Sequence, residues 1–436
     1  MKTTKPGAGL QEPISAQEPL IRRDAAPSRR SQGEAKKEGS SLEAHVVNIK
    51  SVFDGAVIGG GVVGLSIALG LAQRGFSVAV IDTGPLTAAI EPANSRVVAL
   101  NQASQSLLSS LGVWSLIEEN ALAPYEHMMI WDSSNAAQIE FDCRMIAQDK
   151  LGWIVQESMI REALLKRLSD MTTVTLFPSE SVKALHEQSG TISIKSETMH
   201  WTAKCLFAAD GARSICRSLL NVSLTTWPYD QQALVSTVRT SHPHKKTAYQ
   251  VFNPEGPLAF LPLADPYQCS IVWSTTPDRA KALLALSEEA FNQALTKAFA
   301  AQLGDVLESG ARFQFPLVMR HVETYVGAHW VFLGDAAHTI HPLAGLGLNL
   351  GLADVTGYFD LLDKQSKSGQ LLSNRSLQAF QRQRKHAVWQ VILLMQGIKM
   401  LFSNSLLPVQ WLRGVGLRCC NHLPLLKRLF IGYAAG

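Results

Sequence analysis

Three groups of glycine and acid have residue types and spacing that suit chemistry. Gly59, Gly61 and Gly64 stand in G-x-G-x-x-G spacing, with Asp82 following 18 residues after Gly64. Asp210-Gly211 comes next, trailed by Arg213, Ser214 and Arg217. Gly334-Asp335 opens the third group, which runs through His338, His341, Pro342, Gly345 and Gly347 to Leu348 and Asn349. Glycines so spaced let a backbone come close to a phosphate, and carboxylates accept hydrogen bonds from sugar hydroxyls. The six cysteines form no C-x-x-C pair, so neither a zinc ribbon nor a thioredoxin-type centre is indicated, and no metal site is expected. No nucleophile triad or second carboxylate pair rises above the rest of the sequence.

Elements must carry these groups to one place. Residues 55–58 are a short apolar run suited to a buried parallel strand. The glycine turn follows, then an apolar helix to about Arg74, which Gly75 stops, then a strand from Ser77 to Ile81 that delivers Asp82. In this arrangement Gly59 permits the tight turn, Gly61 the approach of a pyrophosphate, and Gly64 close packing of helix on strand. The helix N-terminus adds free N–H groups and the positive end of its dipole. The set predicts adenine dinucleotide binding, and the acid favours a free ribose 2′-hydroxyl, as in FAD or NAD. A strand from Cys205 to Ala208 leads into Asp210, and one from Trp330 to Leu333 leads into Gly334. A helix beginning near Leu348, fed by a glycine-rich loop, makes a further anion site.

In this order and spacing the three groups resemble the aromatic-hydroxylase group of flavoprotein monooxygenases, and most closely the ubiquinone-biosynthesis hydroxylase family. Residues 334–351 read GDAAHTIHPLAGLGLNLG, against GDAAHTIHPLAGQGLNLG in the family. SRVVAL (95–100), LGWIVQESMIREALLKRL (151–168) and GPLAFLPL (256–263) are similar to family segments, and the resemblance covers about residues 52–436. It implies an FAD-dependent monooxygenase in which NAD(P)H reduces the flavin. Oxygen adds at the flavin C4a position, and the hydroperoxide hydroxylates the ring of a polyprenylated phenol. By the same resemblance Gly59, Gly61, Gly64 and Asp82 hold the ADP part of FAD. Arg96 lies along the cofactor near its phosphates, and Gln156 and Arg161 lie near the ribityl chain and phosphates. Asp210 and Gly211 approach the pyrophosphate and are linked to nicotinamide use. Asp335 meets the ribityl hydroxyls. Pro342, Gly345, Gly347, Leu348 and Asn349 form the loop and helix start beside the isoalloxazine ring, where a helix N-terminus stabilises the charge of reduced flavin. His341 is the candidate base for the phenol, with His338 behind it. Leu346 stands where the family usually has Gln, so a backbone contact to flavin at that position is kept and a side-chain contact is not. Two rival readings are a monooxygenase of a small soluble aromatic and a catalytically weak FAD-bound subunit of a ubiquinone-biosynthesis complex.

Composition sets the frame. The chain has 436 residues, 46% apolar and 17% charged, enough to bury a large core in two or three domains. The net charge of +4 does not suggest a nucleic-acid binder, but it is unevenly spread. Residues 1–50 carry 9 basic and 6 acidic side chains, residues 51–363 carry 20 and 30, and residues 364–436 carry 11 and none. The expected fold is α/β. A Rossmann-like FAD-binding domain (52–123, 150–225 and 326–363) is interleaved with an antiparallel-sheet substrate domain (124–149 and 226–325). A disordered tail (1–51) precedes them and a helical C-terminal region (364–436) follows. Hairpins are expected from His127–Trp131 with Ile139–Phe141 and from Ala248–Phe252, Ala259–Leu263 and Ser270–Trp273, and a helix over 287–304. No signal peptide or membrane-spanning helix is indicated, so the expected location is cytoplasmic. In the C-terminal region Gln410, Arg413, Gly414 and Arg418 can share a basic face opposite Trp411, Leu412 and Val415, suited to peripheral contact with an anionic membrane surface.

Overall fold

The apolar run before Gly59 is the end of a longer strand, β1 (Val47–Ile58), which begins earlier than the sequence pattern suggests. It leads through the glycine turn into helix α1 (Val62–Gln73) and strand β2 (Val78–Ile81). The computed structural model describes residues 47–87, 96–135, 137–340, 345–365, 369–403 and 413–416, with positions 421, 423 and 427. Helix α1 ends as expected: Gly75 takes a φ of +83°, a left-handed conformation that costs glycine little. Every residue of β2 is buried, as befits a parallel strand covered on both faces.

These strands belong to a seven-stranded sheet. Its parallel part aligns Ile81 of β2 with Ile58 of β1, Ile58 with Ala208 of the strand Met199–Ala208, and Ala208 with Phe332 of the strand Trp330–Phe332. The carboxyl ends of four strands therefore stand side by side. Antiparallel strands Thr191–Lys195 and Ala184–Gln188 continue the sheet from the earlier part of Met199–Ala208. Helix Leu346–Asp363 packs on the same core, where Tyr358 meets Phe207 edge-on with ring centroids 5.2 Å apart.

A nine-stranded sheet forms the second layer system. The expected hairpins are present: His127–Asp132 pairs with Gln138–Asp142, and Thr247–Asn253, Gly256–Pro262 and Gln268–Thr275 pair antiparallel in turn. His127–Asp132 joins Thr247–Asn253 in parallel, a contact distant in sequence that alternation could not foretell. One face of the sheet packs on helices Pro277–Ala285 and Glu288–Ala298, with Phe260 stacked on Phe299 at 3.8 Å. The helix expected over 287–304 stops at Ala298 because Ala300 and Ala301 turn into left-handed conformations (φ of 52° and 50°). The opposite face receives the long helix Asn374–Ser403 through Val388, Val391, Ile392 and Met395.

The C-terminal region departs from the expected amphipathic arrangement. Arg413 is buried and ion-paired with buried Asp132, whereas Val415 is exposed. The guanidinium also donates to the carbonyls of Leu401 and Phe402, and Phe402 stacks on Phe252 at 3.8 Å. The side chain thus locks chain to sheet rather than facing outward, and Gly414 is buried beside it. Gln410, Trp411, Leu412 and Arg418 lie outside the described residues, as do residues 1–46 of the expected N-terminal tail.

Candidate active site

The aligned strand ends bring the three motifs together. Asp82 leaves β2, Gly59 leaves β1, Asp210 follows Ala208 by two residues, and Gly334 follows Phe332 by two. In an open parallel sheet this carboxyl edge is where a ligand binds. The loops touch one another. A β-carbon added to Gly59 would run into the Ala209 carbonyl and lie 2.9 Å from the Asp210 nitrogen. One added to Gly351 would lie 2.8 Å from Val63 of α1 and 3.1 Å from the Gly334 α-carbon. Arg217 is buried and donates to Ala336 O at 2.8 Å and Ala212 O at 2.6 Å, which ties the second motif to the third.

Some of the glycines pack and others face open space. Gly64 is wedged against the Gly59 carbonyl, and Gly345, at φ +61°, has the Ala99 β-carbon 2.9 Å from where its own would be. At Gly61, Gly211 and Gly347 a β-carbon would meet nothing within 4 Å. These open positions flank the start of α1, the second motif and the start of helix Leu346–Asp363, where an elongated phosphate-bearing ligand would lie against backbone. Asp210 Oδ2 accepts from the Cys216 N–H at 3.1 Å, while its buried Oδ1 has no partner. A buried carboxylate oxygen without a donor is costly. The cradle and that free acceptor fit a dinucleotide with hydroxyls to donate.

The carboxylates differ in their engagement. Asp82 accepts from the Gly60 and Gly84 N–H groups, one on each oxygen, and keeps acceptor capacity for a ribose. Asp335 is half-buried in a short turn, Gly334–Ala336. Arg161 donates to three carbonyls, Gly60 at 2.8 Å, Pro85 at 2.5 Å and Thr87 at 3.3 Å, so it braces the first glycine turn. Arg96, just before strand Val97–Leu100 (β3), and Gln156, at the end of the paired strand Gly152–Gln156, are both exposed, with Arg96 3.6 Å from Glu157. Asn349 is a staple: its amide donates to Ala99 O at 2.7 Å and accepts from the Asn101 N–H at 3.0 Å and Ser104 Oγ at 2.7 Å. It fixes the helix start to β3 and to helix α2 (Gln102–Ser110). Leu348 is half-buried on the first turn of its helix.

His338 does not stand free as a base. Its Nε2 lies 2.8 Å from buried Asp354, so the side chain serves the structure behind the turn. His341 and Pro342 lie outside the described residues. Asp354 and Asn101 were not read from the sequence as site residues, and Arg217 was read only as trailing the second motif, with no role. A charge in the apolar helix LNLGLADVTGYF is the one signal that could have marked Asp354, since such a residue must find a partner. Beside the helix start, Ile340, Leu346 and Leu350 join Ala233, Val272, Phe252 and Leu317 of the large sheet in one apolar wall. Among the described residues no group of His, Cys, Asp or Glu is arranged to hold a metal ion.

Comparison with known proteins decides the family. The model of the FAD binding domain family matches residues 53–394. The chain belongs to this FAD-dependent aromatic-hydroxylase family. It is 34% identical over 392 residues to 3-demethoxyubiquinol 3-hydroxylase of Escherichia coli, covering 87% of this chain and 98% of that protein. It is 30% identical over 438 residues to the human mitochondrial ubiquinone biosynthesis monooxygenase COQ6, covering 88% and 93%. In fold it is similar to p-nitrophenol 4-monooxygenase PnpA of Pseudomonas putida, with a TM-score of 0.74, 17% identity and coverage of 89% and 99%. As a family member the chain is an FAD-dependent monooxygenase.

Proposed function

We propose that this chain hydroxylates the aromatic ring of a polyprenylated phenol in ubiquinone biosynthesis. The observation that carries the reading is the register Ile81–Ile58–Ala208–Phe332, which sets three acid-and-glycine loops at one sheet edge beside an apolar wall. The named relatives are ubiquinone-biosynthesis hydroxylases. Bound FAD supplies the redox chemistry that activates oxygen next to the ring. The chain's own residues bind and orient. Gly61 and the N-terminus of α1 take the pyrophosphate, Asp82 the adenosine ribose, and Asp335 the ribityl hydroxyls. The start of helix Leu346–Asp363 would offer the positive end of its dipole to the negative charge of the bound cofactor. Ile340, Leu346 and Val272 keep water from the ring and suit an apolar substrate.

NAD(P)H is the proposed reductant, on the resemblance of Asp210-Gly211 to the family's second motif. Contact with a lipid surface fits a lipid-borne phenol and the 11 basic residues without an acid in 364–436. No described helix is long and apolar enough to cross a membrane. Membership of a biosynthetic complex fits the same reading. The decisive experiment loads purified protein with FAD and compares NADH- and NADPH-driven hydroxylation of a polyprenylated phenol and a small soluble phenol. Product from the prenylated ring is expected. Turnover of the soluble phenol alone would replace this reading with its rival, and flavin reduction without either product would favour the weak-subunit reading.

A further inference from the structure

Behind the Gly334-Asp335 turn, one buried carboxylate gathers three donors from three segments. Asp354 Oδ2 accepts from the Gly334 N–H at 2.8 Å and from His338 Nε2 at 2.8 Å, and its Oδ1 accepts from Arg384 Nε at 2.7 Å. Asp354 is wholly buried, His338 and Arg384 nearly so. A carboxylate accepts only, so His338 carries its proton on Nε2. Burial alone would raise the Asp354 carboxyl, but His338 and Arg384 together hold it below its ordinary value, as an anion. Arg384 belongs to the long helix Asn374–Ser403, and its Nη2 also donates to Leu350 O at 3.2 Å. The same helix grips the next segment. Gln381 accepts from the Tyr325 N–H at 2.7 Å, Lys385 donates to Glu323 O at 2.8 Å, and the Tyr325 ring stacks on His338 with centroids 6.0 Å apart.

We infer that Asp354 is a positioning residue for FAD, which fixes the Gly334-Asp335 turn through Gly334 and His338 and makes cofactor binding depend on the C-terminal helix through Arg384. Gly334 is left-handed at φ +57° and sits directly against Gly351 of the helix that bears Asp354. The direction of the neighbouring Asp335 carboxylate is therefore set by what holds Gly334. An unpaired donor at this depth is costly, so loss of the anion releases the turn rather than leaving it in place. The inference rests on the assignment of Asp335 to the cofactor.

The test is Asp354→Asn, whose amide conserves shape but replaces one of the two acceptor oxygens with an NH2 donor, although all three partners are donors. Apoprotein of this variant is titrated with FAD, and the flavin spectrum, the midpoint potential and the apoprotein Tm are recorded. The FAD Kd should rise by roughly tenfold or more, with an altered spectrum and potential. Arg384→Met should do the same, and Arg384→Lys should restore most of the affinity. Should Asp354→Asn fail to fold, Arg384→Met and His338→Gln carry the measurement. A lowered Tm with the parental FAD Kd, spectrum and potential would overturn the inference, because the cluster would then serve stability alone. Gly61→Val is the control for the underlying assignment: if it too binds FAD with parental affinity, the cofactor site is misplaced and the inference falls with it.

Discussion

At the residue scale the first motif separates into positions that pack and positions that wait for a ligand. The spacing of Gly59, Gly61 and Gly64 assigns these roles through the motif but does not show what each position meets. Their surroundings do. Gly61 is the N-cap of α1 with an extended backbone (φ −80°, ψ 177°) that any residue tolerates, and nothing stands within 4 Å of its missing side chain. Gly64 meets the Gly59 carbonyl. Gly61→Val should therefore keep the apoprotein Tm and weaken FAD binding by tenfold or more, as the isopropyl group fills the pyrophosphate's place, on the order of 1.4 kcal/mol at least. Gly64→Ala should lower the apoprotein Tm through a forced backbone shift. Differential scanning of the two apoproteins with an FAD titration checks both, and equal effects on Tm would refute the division. Asp335 and Asn349 show the other limit of spacing. Both stand in the third motif, yet one is left half-open and the other is consumed in stapling the helix start to β3.

At the element scale, strand ends were more legible than strand partners. The apolar runs before Asp82, Asp210 and Gly334 mark strands because parallel strands are buried on both faces. Their register, and the parallel joining of His127–Asp132 to Thr247–Asn253, depend on contacts between distant segments that no local pattern encodes. The pairing of His321 with His338 is of this kind, across strands Phe313–Val322 and His338–Thr339. It has a measurable consequence. Burial pushes the His321 imidazole down to about 4 from an ordinary 6.5, with His338 and Lys385 adding to the effect. The folded state holds this histidine neutral, and the unfolded chain takes up a proton below about pH 6.5. Stability from this residue is thus intact above that value and declines as pH falls toward 4. Between pH 7 and pH 5 the loss should be roughly 2 kcal/mol. Urea unfolding of the parent and of His321→Gln at both pH values checks it, with the slope expected to shrink in the variant.

For the whole molecule, the near-neutral total conceals an acidic middle and a basic end, and the structure changes what that end does. The sequence suggested a basic face directed at lipid, but Arg413 turns inward to Asp132, while the long helix exposes Trp389, Leu393 and Met400 at helical spacing. Helical periodicity could group the basic residues on one face but could not say which face a buried carboxylate would claim. Two consequences separate the roles. Arg413→Met leaves Asp132 buried without its cation, and removal of one partner from such a pair costs about 3–5 kcal/mol. Urea unfolding should show that loss, with part of it recovered in Arg413→Met combined with Asp132→Asn, since no anion is then stranded. Leu393→Glu should instead leave stability nearly unchanged, because that side chain is 66% exposed. It should lower the fraction of protein that floats with vesicles containing phosphatidylserine, by placing a repelled charge in the apolar row. Flotation equal to the parent's would remove this helix as the lipid-facing element. A fall in flotation with parental unfolding would place the lipid contact on the helix that also holds Arg384, which is linked through Asp354 to the Gly334-Asp335 turn.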